Sequence, residues 1–335
     1  MRTLQLTYNR FRPLPGGHLQ TILPHLLRIK GLVAYNRERI TLPDGDFLDI
    51  DHVNHTAHQT DESKPHVLIL HGLEGNSQSG YVAGLAYHLH QAGYAVTSIN
   101  YRGCSGTPNS LPRFYHSGAT EDVAAVVAHL LRSGGPAKAI ALIGFSLGGN
   151  QCLKFMGELN NRWKSLSTGV MGGLAFSVPL DLGACSAQIS LPENRLYENR
   201  FIKSLSDKIR TKHRIMPDAE ELDPAQLTKI KILKDFDDLY TAPLHGYANA
   251  DTYYAANSSL GFLPSITHPT LIVQADNDPF LSPEVRSASV KVSPSTQLQI
   301  TRGGGHCGWL MSRPEEGSYY WSNVLALRWL RQLSC

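Results

Sequence analysis

The stretch Ile143-Gly144-Phe145-Ser146-Leu147-Gly148-Gly149-Asn150 decides how the rest of the chain is read. It follows the apolar run Ala139-Ile140-Ala141-Leu142, short and bounded like a buried strand, and precedes residues 151–156 (QCLKFM), which read as a helix. A G-x-S-x-G pentapeptide between a strand and a helix forms a nucleophile elbow. Gly144 and Gly148 flank a turn so tight that side chains there would collide with neighbouring backbone, leaving Ser146 strained with its hydroxyl exposed. The helix that starts there points its unpaired N–H groups and positive dipole end at any oxyanion formed beside the serine. Alone, the pentapeptide is short enough to arise by chance; its place between strand and helix gives it meaning.

On either side the chain alternates. Apolar runs at 67–70, 94–99, 169–176, 270–275 and 297–301 read as strands, several of them continuous enough to be buried on both faces. Ser79 is placed to cap a helix with Val82, Leu85, Ala86 and Leu89 on one stripe and Gly93 past its end. Thr120 is placed to cap another, with Glu121 and Asp122 suiting the dipole in its first turn. A last helix spaces Tyr320, Val324, Leu327 and Leu330 at threes and fours. Upstream, Arg39-Ile40-Thr41-Leu42 and Phe47-Leu48-Asp49-Ile50 flank the turn-forming Pro43-Asp44-Gly45-Asp46, a hairpin signature. The pattern predicts an α/β protein whose mostly parallel sheet of about eight strands is wrapped by helices.

One region breaks the alternation. Residues 180–263 contain no convincing strand, and helical patterns fill 199–209 and 219–234. We expect a helical cap at 180–263 inserted into a single core domain formed by 1–179 and 264–335. Near the other end, residues 18–27 (HLQTILPHLL) are mildly amphipathic, an arm packed on the core or a border of a substrate entrance.

Composition excludes several classes. In 335 residues the formal net charge is +3, hydrophobic content 42% and charged content 18%. That balance, without a run of basic residues, argues against nucleic-acid binding. Five scattered cysteines without a C-x-x-C suggest neither a disulfide framework nor a zinc site. His52, His55 and His58 are expected to be solvated in a polar loop rather than to hold a metal. No secretory signal and no stretch long enough for a transmembrane helix is visible, so a cytoplasmic protein without metal or cofactor is expected.

A serine hydroxyl needs a base, an orienting carboxylate and oxyanion donors. The elbow arrangement supplies them in the order Ser, Asp or Glu, His. After the strand at 270–275 comes Asp276-Asn277-Asp278-Pro279-Phe280; after the strand at 297–301 comes Arg302-Gly303-Gly304-Gly305-His306-Cys307-Gly308. Such groups collect at strand carboxyl ends. Small neighbours let the His306 imidazole reach across to Ser146. The carboxylate is Asp278, next to Pro279, or its competitor Asp276. The loop His71-Gly72-Leu73-Glu74-Gly75 would give one oxyanion donor, the Leu73 N–H, and the elbow the other, the Leu147 N–H. His71 is expected to be a structural hydrogen bonder. Glu74 would oppose charge developing at that site, so its side chain is expected to turn away.

These motifs carry a family resemblance. HGLEGN at 71–76, NYRGCSGTPN at 100–109, YHSGATEDV at 115–123, GFSLGGN at 144–150, DNDPF at 276–280 and GGGHCG at 303–308 together resemble the YheT-like branch of the α/β-hydrolase superfamily. HLQTILP at 18–24 and DFDDLYTAPLHGYANADTYY at 235–254 resemble it as well, so the likeness spans nearly the whole chain. It implies the α/β-hydrolase fold and a serine hydrolase with Ser146, Asp278 and His306 as triad. The family's acid loop usually has two adjacent aspartates before the proline; here Asn277 separates them, and Asp278 keeps the position beside Pro279. Members are linked to esterase, medium-chain phospholipase and alcohol acyltransferase activities.

The expected function is therefore hydrolysis of short- to medium-chain carboxylic esters, small-molecule substrates, through an acyl-enzyme. An alcohol O-acyltransferase or phospholipase using the same groups is the alternative, differing in the acyl acceptor or leaving alcohol. A non-catalytic binding protein on a hydrolase fold is a third. Leu182, Leu191, Leu196, Phe201 and Leu205 in the insertion are expected in part to line an acyl channel.

Overall fold

A computed structural model describes residues 6–11, 14–29, 31–54, 60–133 and 139–334. Its main sheet has eight strands: β1 (Tyr35–Thr41), β2 (Phe47–Val53), β3 (His66–Leu70), β4 (Val96–Asn100), β5 (Ile140–Phe145), β6 (Val170–Phe176), β7 (Thr270–Ala275) and β8 (Thr296–Thr301). They lie in the order β1-β2-β4-β3-β5-β6-β7-β8. The β1–β2 hairpin is antiparallel and joins β4 antiparallel; from β4 to β8 every pairing is parallel. This is the mostly parallel α/β sheet that the alternation of elements predicts.

Side chains of β5 show how the core divides. Ile140 and Leu142 enter one hydrophobic cluster, with residues of α3 (Thr120–Arg132) and α4 (Leu147–Glu158). Ala141, Ile143 and Phe145 enter the other, with α2 (Gly80–Gln91) and the C-terminal helix Trp321–Leu333. The two-residue period of a strand sends successive side chains to opposite faces, so a run that is apolar throughout needs helices on both.

Between β6 and β7 the chain passes through α5 (Leu182–Ile189), the long α6 (Arg195–Ile215) and a series of short turns and helices. α1 (Gly16–Leu27) precedes the sheet. Among the described residues no helix is long and apolar enough to cross a membrane.

Several local expectations need correction. Ser79 stands at the start of α2, but its hydroxyl accepts the Asn76 N–H at 3.0 Å rather than capping the helix. Thr120 is already inside α3, and its hydroxyl donates to Glu158 at 2.6 Å, tying α3 to α4. His52 belongs to β2, not to a loop, where it contacts Thr97 and Glu38 at 2.8 and 3.0 Å; His55 and His58 lie outside the described residues. In place of one helix over 219–234, short 3₁₀ turns fill 220–229 and an α-helical turn starts only at Leu233, because Pro224 has no N–H and Asp223 caps the turn that starts there. The hairpin of β9 (Leu310–Glu315) and β10 (Ser318–Tyr320) is an addition the sequence reading did not contain.

Candidate active site

Strand β5 runs out at Ser146, whose backbone takes φ 53° and ψ −120°, and α4 starts at the next residue. A β-carbon on Gly144 would lie 2.3 Å from the Gly148 carbonyl oxygen, and one on Gly148 2.4 Å from the carbonyl oxygens of Leu70 and His71. No side chain fits at either position. A non-glycine residue held at positive φ costs about 1–3 kcal/mol. The turn is kept by the Ser146 N–H donating to Phe176 at 2.8 Å and by the Ser146 carbonyl accepting from Asn150 at 3.0 Å.

The adjacent ends of β7 and β8, paired through Ala275 and Thr301, bring the two other loops together. Asp278 is fully buried, and its Oδ1 accepts the Phe280 N–H at 2.9 Å. His306 Nδ1 lies 2.9 Å from Asp278 Oδ2 and 3.1 Å from Oδ1. With Nδ1–H turned to the carboxylate, Nε2 is the nitrogen with a free lone pair in the neutral ring. Burial works against the imidazolium, but the Asp278 carboxylate outweighs it and raises the His306 pKa above its ordinary value. The Phe280 ring packs over the imidazole with centroids 4.3 Å apart. Asp276 is exposed instead, and its Oδ1 accepts the Gly303 N–H at 2.7 Å. Of the two aspartates, Asp278 pairs with the histidine and Asp276 shapes its loop.

That loop also rests on α1. Gln20 Oε1 accepts the Gly304 N–H at 2.6 Å while its amide donates to the Leu14 carbonyl at 2.8 Å. Thr21 Oγ1 accepts the His306 N–H at 2.8 Å and donates to the Gly17 carbonyl at 2.7 Å. Gly305 has φ 59°, and a β-carbon there would lie 2.7 Å from α1 backbone atoms. Of the two roles expected for residues 18–27, the arm packed on the core is the one these contacts show, though the sequence reading did not single out Gln20 and Thr21. The available signal was the polar pair Gln20-Thr21 set inside an apolar helix.

On the other side of Ser146 lies the loop after β3. A β-carbon on Gly72 would sit 3.1 Å from Ser146 Cβ. The Gly72 and Glu74 N–H groups are taken by the hydroxyls of Tyr81 and Tyr115, each at 2.8 Å. The intervening Leu73 N–H, and the Leu147 N–H in the first turn of α4, have no hydrogen-bond partner among the described residues. His71 donates from Nδ1 to the Gly72 carbonyl at 2.7 Å and accepts the Tyr101 N–H at Nε2, 3.3 Å away. Burial pushes its pKa down to about 3, so it stays neutral and structural. Glu74 is directed onto α6, where its Oε1 meets Lys208 Nζ at 2.7 Å and the Tyr115 hydroxyl at 2.8 Å, and its Oε2 accepts from Ser204. Its charge is neutralised rather than solvated.

Two cavities share Ser146, His306, Leu73, Phe201 and Phe280 in their walls. One, of about 140 Å³, runs beneath the segment between β6 and β7 and is lined mainly by apolar side chains. Leu182, Phe201 and Leu205 face it as expected; Leu191 and Leu196 do not, and are exposed. Ile189, Leu233 and Phe236 complete the apolar wall. The other, of about 330 Å³, lies between α1 and α6 and is more polar, with Thr21, His25, Arg28 and Arg200 in its lining.

Comparison with known proteins agrees with this architecture. Residues 65–310 match the family described as alpha/beta hydrolase fold. The chain is 35% identical to "Putative esterase YheT" of Escherichia coli K12, over 88% of this chain and 84% of that protein. It is 32% identical to phospholipase ABHD3 of Mus musculus, over 87% of this chain and 70% of that protein. It is 31% identical to a monoacylglycerol lipase of Saccharomyces cerevisiae, over 76% of this chain and 57% of that one. Among solved structures, an esterase of Pyrococcus furiosus superposes with a TM-score of 0.56 at 18% identity, covering 90% of this chain and 91% of its own, a likeness of fold. The chain thus belongs to the α/β-hydrolase superfamily, within its YheT-like branch.

Proposed function

We propose that the protein is a serine hydrolase of carboxylic esters that works through an acyl-enzyme. The observation that carries this reading is His306, held through Nδ1 on the buried Asp278 and sharing a cavity wall with the strained Ser146. His306 Nε2 takes the Ser146 proton as the hydroxyl oxygen attacks the ester carbonyl, then returns it to the departing alcohol. The Leu73 and Leu147 N–H groups stabilise the intermediate's oxyanion. Water, activated by the same imidazole, then releases the carboxylic acid and regenerates Ser146. The relatives named esterase, phospholipase and monoacylglycerol lipase support ester chemistry.

In this reading residues 180–263 are a cap on the core of 1–179 and 264–335. The apolar cavity takes a short- to medium-length acyl chain, and the more polar one takes the alcohol portion. A fluorophosphonate should label Ser146, and Ser146→Ala should lose labelling together with ester hydrolysis by several orders of magnitude. Hydrolysis retained by the alanine variant overturns the mechanism.

A further inference from the structure

Helix α1 is inside out. A surface helix ordinarily buries its apolar stripe and shows its polar face to water. Here the polar Gln20 is buried against the His306 loop, while Leu19, Ile22 and Leu26, spaced three and four apart on one stripe, face outward, with Leu26 70% exposed. Leu27 and Ile29 extend the same apolar surface. Of the ten large apolar side chains that are exposed among the described residues, seven lie on this segment, in the turn that leads into α6 or at its start: these five, Leu191 and Leu196, the last 80% exposed. Chance scatter over the surface would not gather them so.

The two segments adjoin. His18 of α1 stacks on Tyr197 of α6 with ring centroids 5.8 Å apart and planes 9° from parallel, which brings α1 against the start of α6, where Leu196 is exposed. Ile22, His25 and Leu26 line the second cavity together with Tyr197 and Arg200, so the apolar rim surrounds a passage to Ser146 and His306. Charge adds to the pattern. Leu196, Arg200 and Lys203 follow one another at four and three residues along the exposed face of α6, with Arg195 beside them. Arg195 and Arg200 have no acidic partner among the described residues, and Lys203 is only 3.8 Å from an exposed Asp207. Arg28, also in the cavity wall and buried, meets the Cys307 carbonyl at 3.0 Å and no carboxylate. The exposed Glu193 and Asp207 are the opposing acids in the same stretch.

We propose that this face docks on an anionic phospholipid surface. Exposed leucines and isoleucine insert at the boundary of headgroups and acyl chains, and the cations of α6 meet the lipid phosphates. The cavity mouth then opens onto the bilayer, so that a water-insoluble acyl ester reaches Ser146 without crossing bulk water. The inference goes beyond the hydrolase reading, since docking requires no catalysis.

The test is flotation of the full chain with vesicles of phosphatidylcholine and phosphatidylglycerol mixed three to one. The protein should float with these vesicles, less with phosphatidylcholine alone, and less as salt is raised. Leu27→Asp/Leu196→Asp, two exposed positions outside both cavities, should lower the bound fraction at least about tenfold while leaving hydrolysis of a soluble short-chain ester unchanged. Ser146→Ala should float like the parent, which separates this inference from the catalytic one. Parent protein that fails to float, or a double variant that floats equally well, overturns the proposal. So does a dimeric parent that the double variant turns into a monomer, which would assign the face to a second copy.

Discussion

Lys208 Nζ lies 2.7 Å from Glu74 Oε1, joining helix α6 to the loop that carries the Leu73 N–H. An acidic side chain next to a proposed oxyanion donor is unfavourable unless its charge is cancelled, and Lys208 cancels it. Removing one member of this partly buried ion pair leaves the other short of a partner, at about 1–3 kcal/mol. Lys208→Met should therefore lower stability by that order in urea unfolding and also slow ester hydrolysis. Glu74→Gln/Lys208→Met should recover most of both losses. A double variant no better than the single one means the pair does not act in this way.

The two aspartates before Pro279 should separate sharply. Asp278→Asn leaves His306 without its carboxylate and should cost about 10⁴-fold in kcat, as for a triad acid elsewhere. Asp276→Asn loses only a loop contact to the Gly303 N–H and should cost far less. Steady-state rates of the two variants decide it, and the reverse ranking would transfer the role to Asp276.

The pH profile follows from the raised His306 pKa. A protonated imidazole cannot accept the serine proton, so the rate should rise with pH through a midpoint above the ordinary histidine value of about 6.5. Asp278→Asn removes the charge that raises the pKa, so its residual activity should show a lower midpoint. A midpoint unchanged between parent and variant would contradict the assigned cause.

Thr21 should behave as a positioning residue. Its hydroxyl accepts the His306 backbone N–H, and a buried donor left unsatisfied costs about 1–3 kcal/mol. Thr21→Val should lower kcat about tenfold or more with little change in KM. Thr21→Ser, which keeps the hydroxyl, should restore it. Equal rates for the valine and serine variants would show that the contact is not needed.

What could be read from the sequence divides along physical lines. Strands buried on both faces are continuous apolar runs, and an elbow needs glycines at fixed places. Ser146, Asp278 and His306 therefore stood out with the strand ends that carry them. The contacts that hold these groups in place have no such local signature. Gln20 meets Gly304 across 284 positions of chain, and Lys208 meets Glu74 across 134. Nothing near Lys208 in sequence distinguishes it from any other lysine on a helix. Leu191 and Leu196 misled for the opposite reason, since apolar character shows that a residue avoids water but not where it finds shelter.

Acyl preference should be set beneath the segment between β6 and β7. Leu205 and Ile189 line the apolar cavity, and truncating either to alanine lengthens the space for a chain. Each added methylene gains at most about 0.8 kcal/mol by burial, so the preferred acyl length should move upward by a few carbons. Profiles from acetyl to dodecanoyl aryl esters, taken on folded variants, measure this. An unchanged profile in both variants would place the determinant elsewhere.

The contact of α1 with the His306 loop also bears on how the protein is made. Helix α1 grips a loop that lies 285 positions further along the chain, and the imidazole is seated only when the two meet. Contacts so distant along the chain close slowly and late in folding. A partly synthesised chain would carry the serine elbow early, long before the proposed base, His306, exists. On the proposed mechanism the growing chain would thus stay chemically silent after its serine turn has folded, becoming reactive only once α1 and the His306 loop have met.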